Sequence, residues 1–226
     1  MGKNIVDKID DRVPVRRMLI SVSDKTGLED FVPRLLEINS ELKIYSTGGT
    51  YQRIRDILGE NGSRNLEQVS EYTGQPETQG GLVKTLDFRI YLGLLTETYN
   101  EAHQEDMKRT LSVAIDMVVV NLYPFEETIK KEGVTVEMAR SNIDIGGPTM
   151  IRAAAKNYLR VASVVSPADY DGIISRMKEN DGNTTLAMRF DLARKAFAHT
   201  GAYDQAISAY LNGCSFDDVS GCYNRR

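Results

Sequence analysis

Asp144 closes an apolar run in Ile143-Asp144-Ile145-Gly146-Gly147-Pro148, and an alanine-rich stretch from Thr149 to Lys156 follows it. Pro148 suits the first position of a helix, and Gly146 and Gly147 suit the turn before it. Such a turn exposes backbone N–H groups at a helix start, where they bind an anion or a polar heterocycle. It sets Asp144 at the rim, where a carboxylate can accept a proton, and Lys156 about two turns further along. The same six residues also fit an ordinary loop-to-helix cap.

Other groups of chemical interest end short apolar runs. Ser23, Lys25 and Thr26 follow Met18-Leu19-Ile20-Ser21-Val22, and Thr47, Gly48, Gly49 and Thr50 follow Lys43 to Ser46. Glycine admits close backbone approach, hydroxyls donate, and Lys25 adds charge, so two such turns in succession make a phosphate cradle. Neither has the spacing of a P-loop or a dinucleotide fingerprint. Each alone also reads as a helix cap. Lys84, in Leu82-Val83-Lys84-Thr85-Leu86, stands among apolar neighbours, where an ammonium can stabilise an oxyanion or simply snorkel at a strand edge. Tyr123, in Asn121-Leu122-Tyr123-Pro124-Phe125, is a packing residue or a proton donor at a reacting centre. Lys156 closes its helix, where a cation is favourable against the dipole without further role.

These groups need a frame. Strand patterns over 18–22, 43–46, 117–122 and 161–165 alternate with helical patterns over 28–38, 101–111, 136–141, 148–156, 168–179 and 185–210, and a further helix is expected to run through Leu58. The strand at 117–122 is apolar on both parities, as a strand covered on both faces must be. The alternation predicts an α/β fold with a mainly parallel sheet. Ligands in such sheets sit beyond the carboxyl ends of the strands, where the turns named above fall. A loose arm is expected over residues 1–16, one domain over 17–212 ending in a helical extension, and a flexible tail over 213–226.

Composition narrows the chemistry. The 226 residues carry a formal net charge of −4, which argues against a broad nucleic-acid surface. No apolar run approaches the roughly 20 residues of a membrane helix. The first 17 residues lack the apolar segment of a secretory signal. Cys214 and Cys222 make neither a disulfide framework nor, alone, a zinc site. His103 and His199 are the only histidines and lie far apart, so no histidine-rich metal site is expected. A cytoplasmic protein without metal is the expectation.

In order, these segments resemble the inosine monophosphate cyclohydrolase domain, the N-terminal half of a bifunctional purine-biosynthesis enzyme that also carries a formyltransferase. The matching strings are residues 20–27, 46–50, 83–86, 121–128, 142–149, 152–157 and 195–200, with Tyr203-Asp204, and they span Met18 to Leu211. The resemblance implies a fold like that of methylglyoxal synthase, a three-layer sandwich around a parallel sheet. It implies ring closure of 5-formamidoimidazole-4-carboxamide ribotide to inosinate with loss of water, and no cofactor. It carries Lys84, Tyr123, Asp144 and Lys156 over as catalytic residues. Ser23, Lys25, Thr26, Thr47, Gly48, Gly49 and Thr50 would hold the 5′-phosphate. Thr85, in a matching string, would also bind the substrate, and Ile145, Gly146 and Gly147 would offer backbone groups to the base. A homodimer is implied. The formyltransferase half has no counterpart here, so neither formyl transfer nor folate binding is expected within the chain, and a separate formyltransferase is an expected partner.

Departures from the family pattern cluster after Gly81. Leu82 stands for an arginine, Asp87 for a histidine, Phe88 for a proline, Tyr91 for a second histidine and Leu92 for a small residue. An arginine lost and an aspartate gained remove two units of positive charge beside the anionic nucleotide site, which weakens anion binding by an amount set by solvent access. Alternating side chains of the expected strand would aim Arg89 away from Lys84. A diverged module that binds a nucleotide or phosphometabolite without turnover is therefore the second reading. Methylglyoxal synthase is a weaker third, since its catalytic histidine and aspartate pattern is not evident.

Overall fold

The computed structural model describes residues 5–75 and 84–225, so Leu82 and Val83 lie outside the described residues. After a short strand β1 (Arg12–Pro14), β2 (Arg17–Val22) leads through α1 (Leu28–Ile38) to β3 (Lys43–Ser46). Then follow α2 (Gly48–Leu58), β4 (Leu66–Gln68), α3 (Val69–Thr73), α4 (Phe88–Leu95) and α5 (Glu101–Arg109). The central strand β5 (Met117–Asn121) precedes α6 (Phe125–Ile129), α7 (Val136–Ser141) and α8 (Gly146–Lys156). Last come β6 (Ala162–Val164), α9 (Tyr170–Glu179), β7 (Asn183–Thr185), α10 (Leu186–Gly213) and α11 (Phe216–Ser220).

The main sheet is parallel, in the order β4-β3-β2-β5-β6. Its strands are apolar on both parities because both faces are covered. Met18, Ile20, Met117, Val119, Ala162 and Val164 pack with Phe31, Leu35, Ile54 and Ile174 of α1, α2 and α9. Leu19, Tyr45, Val118 and Val120 pack on the other side with Ile90, Ile151, Ala154 and Ala196 of α4, α8 and α10. This is the expected three-layer α/β sandwich with C-terminal helices.

The order in which strands are added reverses at β2. From it the connections run outward to β3 and β4 on one side, and from β5 to β6 on the other. The loops leaving β2 and β5 therefore part company and open a crevice at their carboxyl ends. Leu19 pairs with both Tyr45 and Val118, and Val22 pairs with Asn121, so the two strands end level.

Several expectations are corrected. The segment after Lys84 is helix α4, not a strand: Asp87 caps it by accepting the Arg89 N–H at 2.8 Å, and Ile90, Gly93 and Leu94 are buried at helical spacing. The helix expected from Pro148 begins at Gly146. The arm is not loose from residue 10 onward. The buried Arg189 guanidinium donates to the carbonyls of Asp10, Asp11, Tyr158, Leu159 and Thr184. Val13 of β1 pairs with Thr184 of β7 in an antiparallel ribbon. The tail holds α11, started by a reciprocal Ser215–Asp218 cap, and Tyr223 donates to Glu137 of α7.

Candidate active site

A cleft of about 560 Å³ opens at the β2/β5 divergence. One wall is the β2–α1 loop, the second the start of α2, the third Lys84 to Leu86, and the floor the turn from Ser141 to Gly147. Asn121 ties the first wall to β5. Its Oδ1 accepts the N–H groups of Ser23 at 2.7 Å and Asp24 at 2.9 Å, and its Nδ2 donates to the Asp24 carbonyl at 2.8 Å. Ser21 and Thr47 hydroxyls meet at 2.9 Å and link β2 to the entry of α2.

The cradle forms around the N-terminus of α2. Gly48 adopts φ +47°, and a Cβ there would lie 3.4 Å from Lys84 Nζ. A Cβ on Gly49 would lie 3.8 Å from Lys25 Cε. Lys25 Nζ is steadied by the Ser23 carbonyl at 3.2 Å. Two lysines thus flank the positive end of a helix, and the site favours an anion. Thr50 belongs to the cleft, but its hydroxyl is committed: it accepts the Val22 N–H at 3.1 Å and donates to the Val22 carbonyl at 3.0 Å. Its role is to pin α2 to β2. Thr26 does not join the cradle. It is exposed, and its N–H donates to Asp24 Oδ1 at 2.9 Å.

Asp144 faces the cradle from the floor. Its Oδ1 accepts the Gly147 N–H at 2.9 Å. Burial pushes this carboxyl above the usual aspartate range, against the pull of backbone N–H groups from Gly147, Gly146 and Tyr123. A carboxylate so placed is a better proton acceptor than a solvated one. Thr85 closes over the turn from above: a Cβ on Gly146 would fall 2.5 Å from its Oγ1. Ile145 lines the rim and is 60% exposed, and Tyr123 stands half in solvent with its ring at the cleft edge.

Lys156 is the expected catalytic residue that this arrangement leaves out. It is exposed at the far end of α8, ten residues from Gly146. At a rise of about 1.5 Å per residue that is about 15 Å along the helix. No bend within one chain brings it to Asp144. The departures recorded at Asp87 and Phe88 also fall outside the lining of the cleft: Asp87 is spent as a helix cap, and Phe88 is 57% exposed beside Arg89. Ser21, Asn121 and Asn142 line the cleft without having been assigned a role from sequence. A polar residue at the last turn of an apolar strand is the signal that marks the first two.

Comparison with known proteins agrees with this fold. Residues 27–149 match the model of the MGS-like domain, more than half of the chain. The chain belongs to the MGS-like domain family. Residues 154–224 match a second model, that of the AICARFT/IMPCHase bienzyme. The crystal structure of ForH is similar at 30% identity, with a TM-score of 0.71 over 85% of this chain and 96% of that one. The chain thus joins an MGS-like domain to a C-terminal segment similar to that of the AICARFT/IMPCHase bienzyme, with the sheet, the switch-point cleft and the C-terminal helices in one unit. Among the described residues no helix is long and apolar enough to cross a membrane. Among them, too, no cluster of three His, Cys, Asp or Glu side chains could hold a metal ion.

Proposed function

We propose that the chain is an IMP cyclohydrolase acting in purine biosynthesis in the cytoplasm, and that it closes 5-formamidoimidazole-4-carboxamide ribotide to inosinate. The observation that carries this reading is the convergence on one cleft of a half-buried Asp144 carboxylate, made more basic by desolvation, and the Lys84 ammonium beside the N-terminus of α2. The family matches support the reaction class.

The chemistry is a ring closure between two poor partners, a carboxamide nitrogen and a formamide carbon. The 5′-phosphate docks on Lys25, Ser23, Thr47 and the amides of Gly48 and Gly49, which fixes the imidazole over the floor. The reaction is then intramolecular, and orientation supplies much of the rate. Asp144 takes one carboxamide proton as that nitrogen bonds to the formyl carbon. The formyl oxygen gathers negative charge, which Lys84 stabilises. Protonation gives a carbinolamine. Loss of the formamide N–H proton and departure of the hydroxyl then leave the C=N bond and one water. Tyr123, at the rim, orients the carboxamide and passes a proton toward the leaving hydroxyl.

In this reading the protein works as a homodimer, and Lys156 meets a cleft only if it is that of a second copy. A separate formyltransferase supplies the formylated ribotide. No metal or organic cofactor is needed for either bond change.

Ring closure is visible directly, because the new purine absorbs differently from the open imidazole. Saturable formation of inosinate by the purified chain supports the reading. Tight binding of inosinate with no turnover would transfer support to the non-catalytic nucleotide module.

A further inference from the structure

The family model for the MGS-like domain ends at Gly147-Pro148-Thr149, just past the site turn, while α10 belongs to the separately matched C-terminal segment. Yet α10 reaches back into the site at one polar contact. The Asp144 N–H donates to the Tyr203 hydroxyl at 2.8 Å. Tyr203 is 8% exposed. Its ring meets Phe125 edge-on, with centroids 6.2 Å apart, and Tyr210 meets the same Phe125 at 5.9 Å. Phe125 itself begins α6, two residues after Tyr123, and its N–H donates to the Tyr123 carbonyl at 2.8 Å. One helix therefore braces both segments that carry candidate chemistry: the Asp144 turn by a hydrogen bond, the Tyr123 segment by aromatic packing.

We infer that Tyr203 is a positioning residue, which fixes the backbone of Asp144 and so aims its carboxylate into the cleft. The inference deepens the cyclohydrolase reading and rests on it for its catalytic consequence. The physical argument is that Asp144, two residues before the glycine pair, has little else to hold its main chain. Gly146 and Gly147 follow it, and glycine resists rotation least. The Asp144 side chain accepts from Gly147 at the start of α8 and is also reached by the Tyr123 N–H, but these contacts hold the carboxylate and not the Asp144 main chain. The Asp144 main chain is tied by the Tyr203 hydroxyl, which stands on a 28-residue helix packed along α8. Burial also holds the Tyr203 hydroxyl protonated by raising its pKa, so it remains a neutral acceptor across the working range.

Tyr203→Phe keeps the ring against Phe125 and removes only the acceptor. The predicted result is a fall of about tenfold or more in kcat on the formamido ribotide, with KM changed less than about twofold. The acid limb of the kcat–pH profile moves with it. Hydrogen exchange of the Asp144 amide, followed by NMR in the protein bound to inosinate, becomes faster. An unchanged amide exchange rate in the Phe variant overturns the brace. So does a variant that loses thermal stability but keeps wild-type kcat and pH profile, which marks a purely structural contact. If the wild-type chain shows no ring closure, the functional reading fails on that ground alone, and the amide exchange still decides the role of Tyr203.

Discussion

Gly147 and Asp144 stand so close that a Cβ on the glycine would lie 2.5 Å from Asp144 Oδ2, and 2.7 Å from Leu122 Cδ2 on the other side. The carboxylate occupies the space that a side chain would take. Gly147→Ala therefore must push Asp144 out of its place or strain the end of β5. We expect ring closure to fall by about two orders of magnitude, since a 1 Å misplacement costs that much. Stability should drop by about 1–3 kcal/mol, as overpacking does elsewhere. Steady-state kinetics with a urea melt on the same preparation checks both.

Asp144→Asn separates function from stability. Burial raises the folded-state pKa of Asp144, so the folded chain holds this proton more tightly than the unfolded chain. The linked stability is fully present below the unfolded pKa and is lost as pH rises through the raised folded value. At neutral pH the ionised carboxylate is thus a burden on the fold, and the neutral amide is not. The variant should melt at the same temperature as wild type or higher at pH 7.5. That advantage should shrink as both are taken toward pH 4. Calorimetric scans across that range test the sign.

Asn121→Ala removes the acceptor for the Ser23 and Asp24 N–H groups and the donor to the Asp24 carbonyl. These groups are part-buried or exposed and can turn to water, so the loss of stability should be about 0.5–1.5 kcal/mol. Because the same loop carries Lys25, the larger expected effect is on anchoring of the phosphate. KM for the ribotide should rise by an order of magnitude while kcat at saturation changes little. The KM-against-kcat split distinguishes this from damage to Asp144 or Lys84.

Arg160→Ala should do the reverse and harm only the fold. Arg160 is buried, donates to the carbonyls of Gly93 and Ile115, and pairs with Asp116 at 3.3 Å. Asp116 in turn accepts the N–H groups of Arg16 and Arg17 at 2.9 and 3.0 Å at the start of β2. Removing one partner of a buried pair costs about 3–5 kcal/mol. This end of the sheet is opposite the cleft, so KM of the surviving folded fraction should be unchanged. Chemical denaturation beside kinetics checks the separation.

The framework of the fold was legible because its strands announce themselves. Met117 to Val120 is apolar on both parities, and such a run must lie between two layers. The site turns were legible for a related reason: Ser23, Lys25 and Thr47 to Gly49 break apolar runs at strand ends, where a parallel sheet opens. What sequence did not show was three-dimensional economy of the polar groups. Thr50 and Thr26 have the side chains of phosphate ligands, but β2 claims one hydroxyl and the Asp24 carboxylate the other. Asp87 looked like a charge set against the nucleotide, and local capping takes it. Lys156 fell beyond reach because helix length, not sequence spacing, sets its distance from Asp144. Tyr203 was hidden by its 59-residue separation from Asp144, which no local pattern reports.

The central claim is that Asp144, sharing a cleft with Lys84, drives ring closure of a ribotide held there. The most direct measurement is the initial rate of inosinate formation, read by ultraviolet absorbance at saturating formamido ribotide, for wild type and Asp144→Asn side by side, with inosinate affinity measured on both. The account predicts saturable turnover by wild type and a loss of at least about a hundredfold in the variant, with inosinate affinity kept within a few-fold. Equal rates in the two proteins, or no turnover in either while inosinate binds tightly, would contradict it.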